Sequence, residues 1–180
     1  PPTNEVTMQN ILYTAQLELN HPIAIRYPRG RGVLPNWEVE NFGHYEKIII
    51  GQASQLKSGT KTAVLSTGTI GNNVILALKE CNNSETIAHY DFPFIKPLDI
   101  KSLNSIFTDF ERIITIEEGT VNGGFGTAIL EFAALHNFKN KIEILGVPDV
   151  FIEHGTANQL QQLCKIDVKS LVNLFENETK

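Results

Sequence analysis

Three arginines in six positions, Arg26, Arg29 and Arg31, stand at the end of an apolar run, Pro22 to Ile25, with Gly30 and Gly32 among them. A guanidinium is a permanent cation whose planar fork of donors fits phosphate or carboxylate two bonds at a time. Glycine beside it lets the backbone turn and approach an anion closely. The stretch reads as a strand running out into a loop suited to anion recognition. A solvated basic turn is the plainer reading of the same residues.

A second candidate lies at Glu117-Glu118-Gly119, followed by Gly123-Gly124-Phe125-Gly126 at the start of a helical pattern. Free N–H groups at a helix N-terminus can receive an anion. The spacing departs from Gly-x-Gly-x-x-Gly, since Ile129 stands where the last glycine belongs, and close packing of helix on sheet accounts for these glycines as well. Glu117 and Glu118 are adjacent on a strand end and point opposite ways, which argues against an acid–base pair on one substrate. Capping of the next helix, or a contact with a neighbouring subunit, suits them better.

Among the histidines at 21, 44, 89, 136 and 154 no His-x-x-x-His spacing occurs, and Cys81 and Cys164 form no Cys-x-x-Cys pair. The metal reading is poor, and two reduced thiols in a cytosolic protein are expected. His154 falls on a loop, where it could titrate near neutrality; a hydrogen-bonded structural role is the simpler reading. His89 lies within an apolar run and reads as a core histidine.

The elements that must carry these residues follow from periodicity. Residues 4–19 read as a helix with Thr3 as N-cap and Met8, Ile11, Leu12, Ala15 and Leu19 on one face. A strand over 22–28 follows, then a polar connector from Gly30 to about Lys47 that holds Pro35, Asn36 and Trp37. Beyond it, apolar runs at 48–50, 63–66, 87–91, 113–116 and 142–145 alternate with helical patterns, and Asp99, Thr156 and Asp167 stand as N-caps. This alternation predicts an α/β fold, a three-layer α/β/α domain with about five mostly parallel strands. The run 48–50, followed by the turn Lys57-Ser58-Gly59 and not by a helix, is the candidate for one antiparallel edge strand.

A helix and one strand cannot close a core, so residues 1–29 read as the end of one domain, 30–47 as a linker and 48–180 as a second domain. The chain opens Pro1-Pro2 without Met and enters a helix at once, and it is expected to be a piece of something longer. With 180 residues, a net charge of −5 and 42% hydrophobic residues, it suits a soluble globular protein. Its acidity excludes nucleic acid as an expected partner. No apolar run approaches the ~20 residues of a membrane span, and no signal peptide is visible, so a cytoplasmic location is expected.

Six segments, taken in order, resemble the 1-deoxy-D-xylulose-5-phosphate synthase family of the transketolase superfamily. They are Arg26-Tyr27-Pro28-Arg29-Gly30, Leu65-Ser66-Thr67-Gly68-Thr69, Phe94-Ile95-Lys96-Pro97-Leu98-Asp99, Ile116-Glu117-Glu118-Gly119, Gly123-Gly124-Phe125-Gly126, and Leu145-Gly146-Val147-Pro148-Asp149 running into Phe151-Ile152-Glu153-His154-Gly155. The resemblance implies that residues 1–29 end the pyrimidine-binding middle domain and that the remainder is the C-terminal domain. It also implies a parent homodimer using thiamine diphosphate and Mg2+ to condense pyruvate with D-glyceraldehyde 3-phosphate, with release of carbon dioxide.

Within that frame Arg29 would hold the aldehyde's phosphate, Arg26 would be a secondary anion contact and Arg31 would be solvated. Glu117, Glu118, Gly123 and Gly124 are the candidates for a subunit interface. The family's Gly-Asp-Gly…Asn metal–diphosphate motif and its pyrimidine-activating glutamate are not in this chain. The fragment is therefore expected to bind no cofactor or metal, to hold no catalytic residue and to be a scaffold portion, inactive alone. The rival readings are the β subunit of a 2-oxoacid dehydrogenase first component and a free-standing α/β binding module.

Overall fold

The run Thr62-Ala63-Val64-Leu65-Ser66-Thr67 is buried at every position, as a strand must be when helices cover both its faces. A computed structural model of the chain describes residues 1–17, 21–35 and 43–177. In it this run is strand β2 (Thr62–Thr67), flanked by β3 (Ile87–Asp91) and β4 (Arg112–Thr120), with β1 (Ser54–Lys57) and β5 (Lys141–Val147) at the edges. The order is β1-β3-β2-β4-β5; β1 runs antiparallel to β3 and the other pairings are parallel. The expected α/β fold is thus present, with five strands and one antiparallel edge.

Side chains alternate across the strands and sort the core into two halves. Ala63, Leu65, Ala88 and Ile113 face helices α3 (Ile100–Asp109) and α4 (Phe125–Leu135), where Leu103, Phe107, Phe125, Ile129 and Phe132 pack. Val64, Ile87, Ile114 and Ile116 face α2 (Gly71–Glu80) and α6 (Val168–Glu176), through Val74, Leu78, Leu171 and Phe175. A short helix α5 (Ala157–Leu163) precedes α6. Asp99, Thr156 and Asp167 cap α3, α5 and α6 by accepting backbone N–H groups, as the sequence indicates.

Three expectations need correction. The edge strand is Ser54–Lys57, not 48–50; the N–H of Ile48 donates to Thr14 Oγ1 instead of to a strand. Residues 22–28 form no strand either. They are mostly exposed and no described strand lies beside them, so their backbone has no ladder to join.

Helix α1 spans Glu5–Ala15 and is capped by Asn4, whose side chain accepts from Thr7 N, and not by Thr3, whose hydroxyl donates to Asp91. Its buried residues are Gln9, Asn10, Ile11 and Thr14, while Leu12 is exposed; Leu19 lies outside the described residues, as do Asn36 and Trp37 of the connector.

Candidate functional site

In an open parallel sheet the carboxyl ends of the strands are where ligands meet the fold, and here those ends carry polar side chains. Ser66 and Asp91 are register partners at the ends of β2 and β3, and Glu117 closes the pairing of β4 with Thr67. His89, fully buried, meets Ser66 Oγ through Nε2 at 2.8 Å. Its Nδ1 has no partner among the described residues, and burial pushes its pKa down to about 4. His89 is thus the core histidine that its apolar surroundings implied.

Asp91 accepts the Thr3 hydroxyl at 2.6 Å, and Asn72 Nδ2 donates to the Thr3 carbonyl at 2.9 Å. Burial raises the Asp91 pKa to about 6, against the opposing pull of the Thr3 bond. The segment before α1 is in this way fastened to the strand ends by polar contacts.

Glu117 and Glu118 do point apart. Glu117 is buried, and its Oε1 accepts the N–H of Gly126 at 2.9 Å, capping the start of α4. The glycines around it make room. A Cβ at Gly124 would lie 2.4 Å from Glu117 Oε2, and one at Gly126 would lie 2.6 Å from Thr115 Oγ1. Close packing therefore accounts for these two glycines without an anion.

Of the four interface candidates, Glu117 is buried against its own chain, Glu118 and Gly124 are half-buried and Gly123 is exposed. Glu118 Oε2 accepts the Thr69 hydroxyl at 2.7 Å. The two carboxylates share no substrate space.

Arg26 reaches the same edge. It borders a cleft of about 300 Å³ lined also by Pro2, Tyr27, Thr69 and Glu118. Arg31 borders a neighbouring cleft of about 270 Å³ with Met8, Leu12 and Tyr27. Arg29 is exposed, and no hydrogen bond or ion pair occupies it among the described residues. All three guanidiniums lie on the segment that follows α1, and the structure brings Arg26 to the strand ends. His154 sits in an exposed stretch just before α5.

Sequence reasoning missed one charged pair at the opposite end of the sheet. Arg112 donates through Nε and Nη2 to the two carboxylate oxygens of Glu143, at 3.0 and 2.8 Å, and this bond holds the Glu143 carboxyl below its usual range. The signal was available in the pairing of β4 with β5, which sets Ile114 against Glu143 and Arg112 against Lys141. The pair stands at the strand starts and ties two strands together. As for metals, no three His, Cys, Asp or Glu side chains converge among the described residues. The described donor set does not fit a divalent cation, which needs several oxygen ligands together.

Residues 51–171 match the model of the transketolase C-terminal domain. The chain belongs to that family. It is 44% identical over 172 residues to a 1-deoxy-D-xylulose-5-phosphate synthase of Bacteroides thetaiotaomicron, covering 94% of this chain and 26% of that protein. It is 42% identical over 178 residues to the synthase of Cytophaga hutchinsonii, covering 98% of this chain and 27% of that protein. The chain thus spans about a quarter of the length of the curated relatives it matches.

A split-gene transketolase, an inactive β4 tetramer, superposes with a TM-score of 0.66 at 22% identity, over 73% of this chain and 43% of that one, and supports the transketolase-type fold. The family resemblance read from six short segments is shown by these relatives. Neither the dehydrogenase β subunit nor a free-standing binding module is favoured.

Proposed function

We propose that the chain is the C-terminal portion of a thiamine-diphosphate-dependent synthase that condenses pyruvate with D-glyceraldehyde 3-phosphate to 1-deoxy-D-xylulose 5-phosphate and carbon dioxide, a precursor for isoprenoids and thiamine. The observation that carries it is the identity of 44% and 42% with two such synthases over nearly the whole chain. Thiamine diphosphate with Mg2+, bound by other segments of the full-length enzyme, would stabilise the carbanion equivalent that the ketoacid yields on losing carbon dioxide and that the aldehyde receives. This portion supplies the sheet scaffold, the Arg26–Arg29 segment and a share of the homodimer contact, with Glu117, Glu118, Gly123 and Gly124 as its candidates. No helix of the described residues is long and apolar enough to cross a membrane, and a cytoplasmic location accompanies the proposal.

Arg29 is assigned to the aldehyde's phosphate and Arg26 to a secondary anion contact. The exposed guanidinium of Arg29, without a partner among the described residues, supports this, since a donor fork that is not already engaged is free to take a phosphate. In the full-length enzyme Arg29→Ala is expected to raise KM for glyceraldehyde 3-phosphate while leaving that for pyruvate nearly unchanged. A charge-assisted bond of roughly 1.5–3 kcal/mol corresponds to about 10- to 150-fold in apparent affinity. Arg29→Lys recovers only part of it, because the charge stays but the fork is lost. Steady-state kinetics varying each substrate in turn decides the matter; unchanged aldehyde kinetics would return Arg29 to the role of a solvated basic turn.

A further inference from the structure

Asn122-Gly123 is the only Asn-Gly pair among the sixteen asparagines of the chain. It lies between the end of β4 at Thr120 and the start of α4 at Phe125, outside both elements, and both residues are exposed. Gly123 holds φ +75°, and nothing lies within 4 Å of the position a Cβ there would occupy. No side chain of its own screens the backbone nitrogen of Gly123, which meets the Thr127 hydroxyl in the first turn of α4. We propose that Asn122 is a site of spontaneous deamidation and isoaspartate formation in the folded protein.

The chemistry needs only water. The Gly123 nitrogen gives up its proton to hydroxide and attacks Cγ of Asn122. The Cγ–Nδ2 bond breaks, the departing nitrogen takes a proton from water and leaves as ammonia with hydroxide returned, and a five-membered succinimide joins the two residues. Water then opens either carbonyl–nitrogen bond of the ring, returning the proton to the Gly123 nitrogen and leaving aspartate or isoaspartate at 122. No oxidant or cofactor takes part.

Two hydrogen bonds must loosen first. Gly123 N donates to Thr127 Oγ1 at 3.0 Å, and Asn122 Nδ2 donates to Asp149 Oδ2 at 3.0 Å. The second bond gives the modification its consequence. It ties the loop leaving β4 to the loop leaving β5, and its donor is the amide that deamidation removes. Afterwards a carboxylate faces Asp149 where a donor stood, and attraction becomes like-charge repulsion. Competing sites are better protected: Asn104 sits within α3 with its amide on the Ile100 carbonyl, and Asn83 is half-buried with its amide on the Phe175 carbonyl.

The test ages the purified chain in mildly alkaline buffer, at a dilution where sedimentation shows monomer, and follows each asparagine peptide by mass spectrometry. A parallel sample is held in urea. The folded chain is expected to lose the Asn122 amide before any other, with the product methylated by an isoaspartyl methyltransferase. Asn122→Gln removes that signal with an unchanged circular dichroism spectrum. Gly123→Ala slows it through the added Cβ, and if that variant misfolds at φ +75°, Asn122→Gln still decides. An intact Asn122 peptide in the folded chain after the urea sample has converted overturns the proposal, as does earlier conversion at another asparagine.

Discussion

In residues 51–177 the backbone hydrogen bonds run from strand to strand and the packing behind them is apolar, whereas the contact of α1 with residues 44–48 is made by polar side chains and one stacked ring pair, Tyr13 on Tyr45 with centroids 5.6 Å apart. Gln9 Nε2 donates to the His44 carbonyl at 3.1 Å, Asn10 Oδ1 accepts Glu46 N at 3.0 Å, and Thr14 Oγ1 accepts Ile48 N at 3.0 Å. The helix thus offers the passing chain the bonds that a neighbouring strand would have given. The sheet region collects its stabilisation from apolar surface removed from water, while the α1 contact gains one stacked ring pair and the modest net of hydrogen bonds exchanged with solvent. The first should fold by itself and the second should follow it.

The sharpest way to break that comparison is to separate the regions. A chain starting at residue 48 is expected to unfold cooperatively with the helical and strand content of the sheet domain. A peptide of residues 1–47 should show no cooperative transition, because one helix and an unpaired segment bury too little. Circular dichroism melts of both pieces decide it; cooperative unfolding of the short piece would overturn the asymmetry.

Within the sheet region the largest single effect should come from its core. Phe125 is fully buried and its ring centroid lies 5.5 Å from that of Phe92. Phe125→Ala leaves a cavity beneath α4 and is expected to cost about 3–5 kcal/mol. Denaturant titration reads this as a lower midpoint at unchanged slope.

The sheet was legible because its signal is repetitive. Apolar runs of strand length alternate with helical periods, and N-cap residues such as Asp99, Thr156 and Asp167 mark the boundaries, so local and global cues agree. The region before it was misread for a physical reason. An apolar run such as 48–50 looks like a strand, yet pairing is decided by what lies alongside, and there it is α1. Thr3 looked like a cap by type, but its hydroxyl is drawn to Asp91 at 88 residues' separation, which no local pattern announces.

The candidate site divides the same way. Adjacency told that Glu117 and Glu118 diverge, and His89 declared itself by its apolar neighbours. The Arg112–Glu143 bond depended on which strands became neighbours. Arginine spacing showed donors suited to an anion and stopped there.

The two buried titratable groups at the junction of the regions give the next prediction. His89 has its pKa lowered from 6.5 to about 4 and Asp91 has its raised from 3.8 to about 6. For His89 the folded state resists the proton, so its stability is complete above pH 6.5 and is lost as pH falls towards 4. For Asp91 the folded state takes the proton first, so stability is regained as pH falls from 6 towards 3.8. Each amounts to about 3 kcal/mol across its window, and the two nearly cancel. Asp91→Asn removes one arm. Its stability should therefore fall by about 3 kcal/mol relative to the parent chain as pH drops from 6.5 to 4, read from denaturant midpoints of both proteins along the series. Parallel curves would remove one of the two shifts.

The smallest expected effect tests the α1 contact itself. Asn10→Leu and Thr14→Val each delete a side-chain acceptor while keeping the volume nearly constant, which leaves the N–H of Glu46 or Ile48 without its partner. If those N–H groups turn to water, each change costs about 1 kcal/mol or less. The two sites sit one helical turn apart and serve the same strip of backbone, so the double variant should approach the sum of the singles only if the strip stays in place. Once it detaches, the second deletion costs nothing more. Amide hydrogen exchange is the readout that distinguishes these cases. Protection at Glu46 and Ile48 should fall in the single variants and vanish in the double, while amides of β2 and β4 keep their rates, because local opening is independent of the sheet. Loss of protection in β2 on replacing Asn10 or Thr14 would show that the two regions unfold as one unit, and the division between them would not stand.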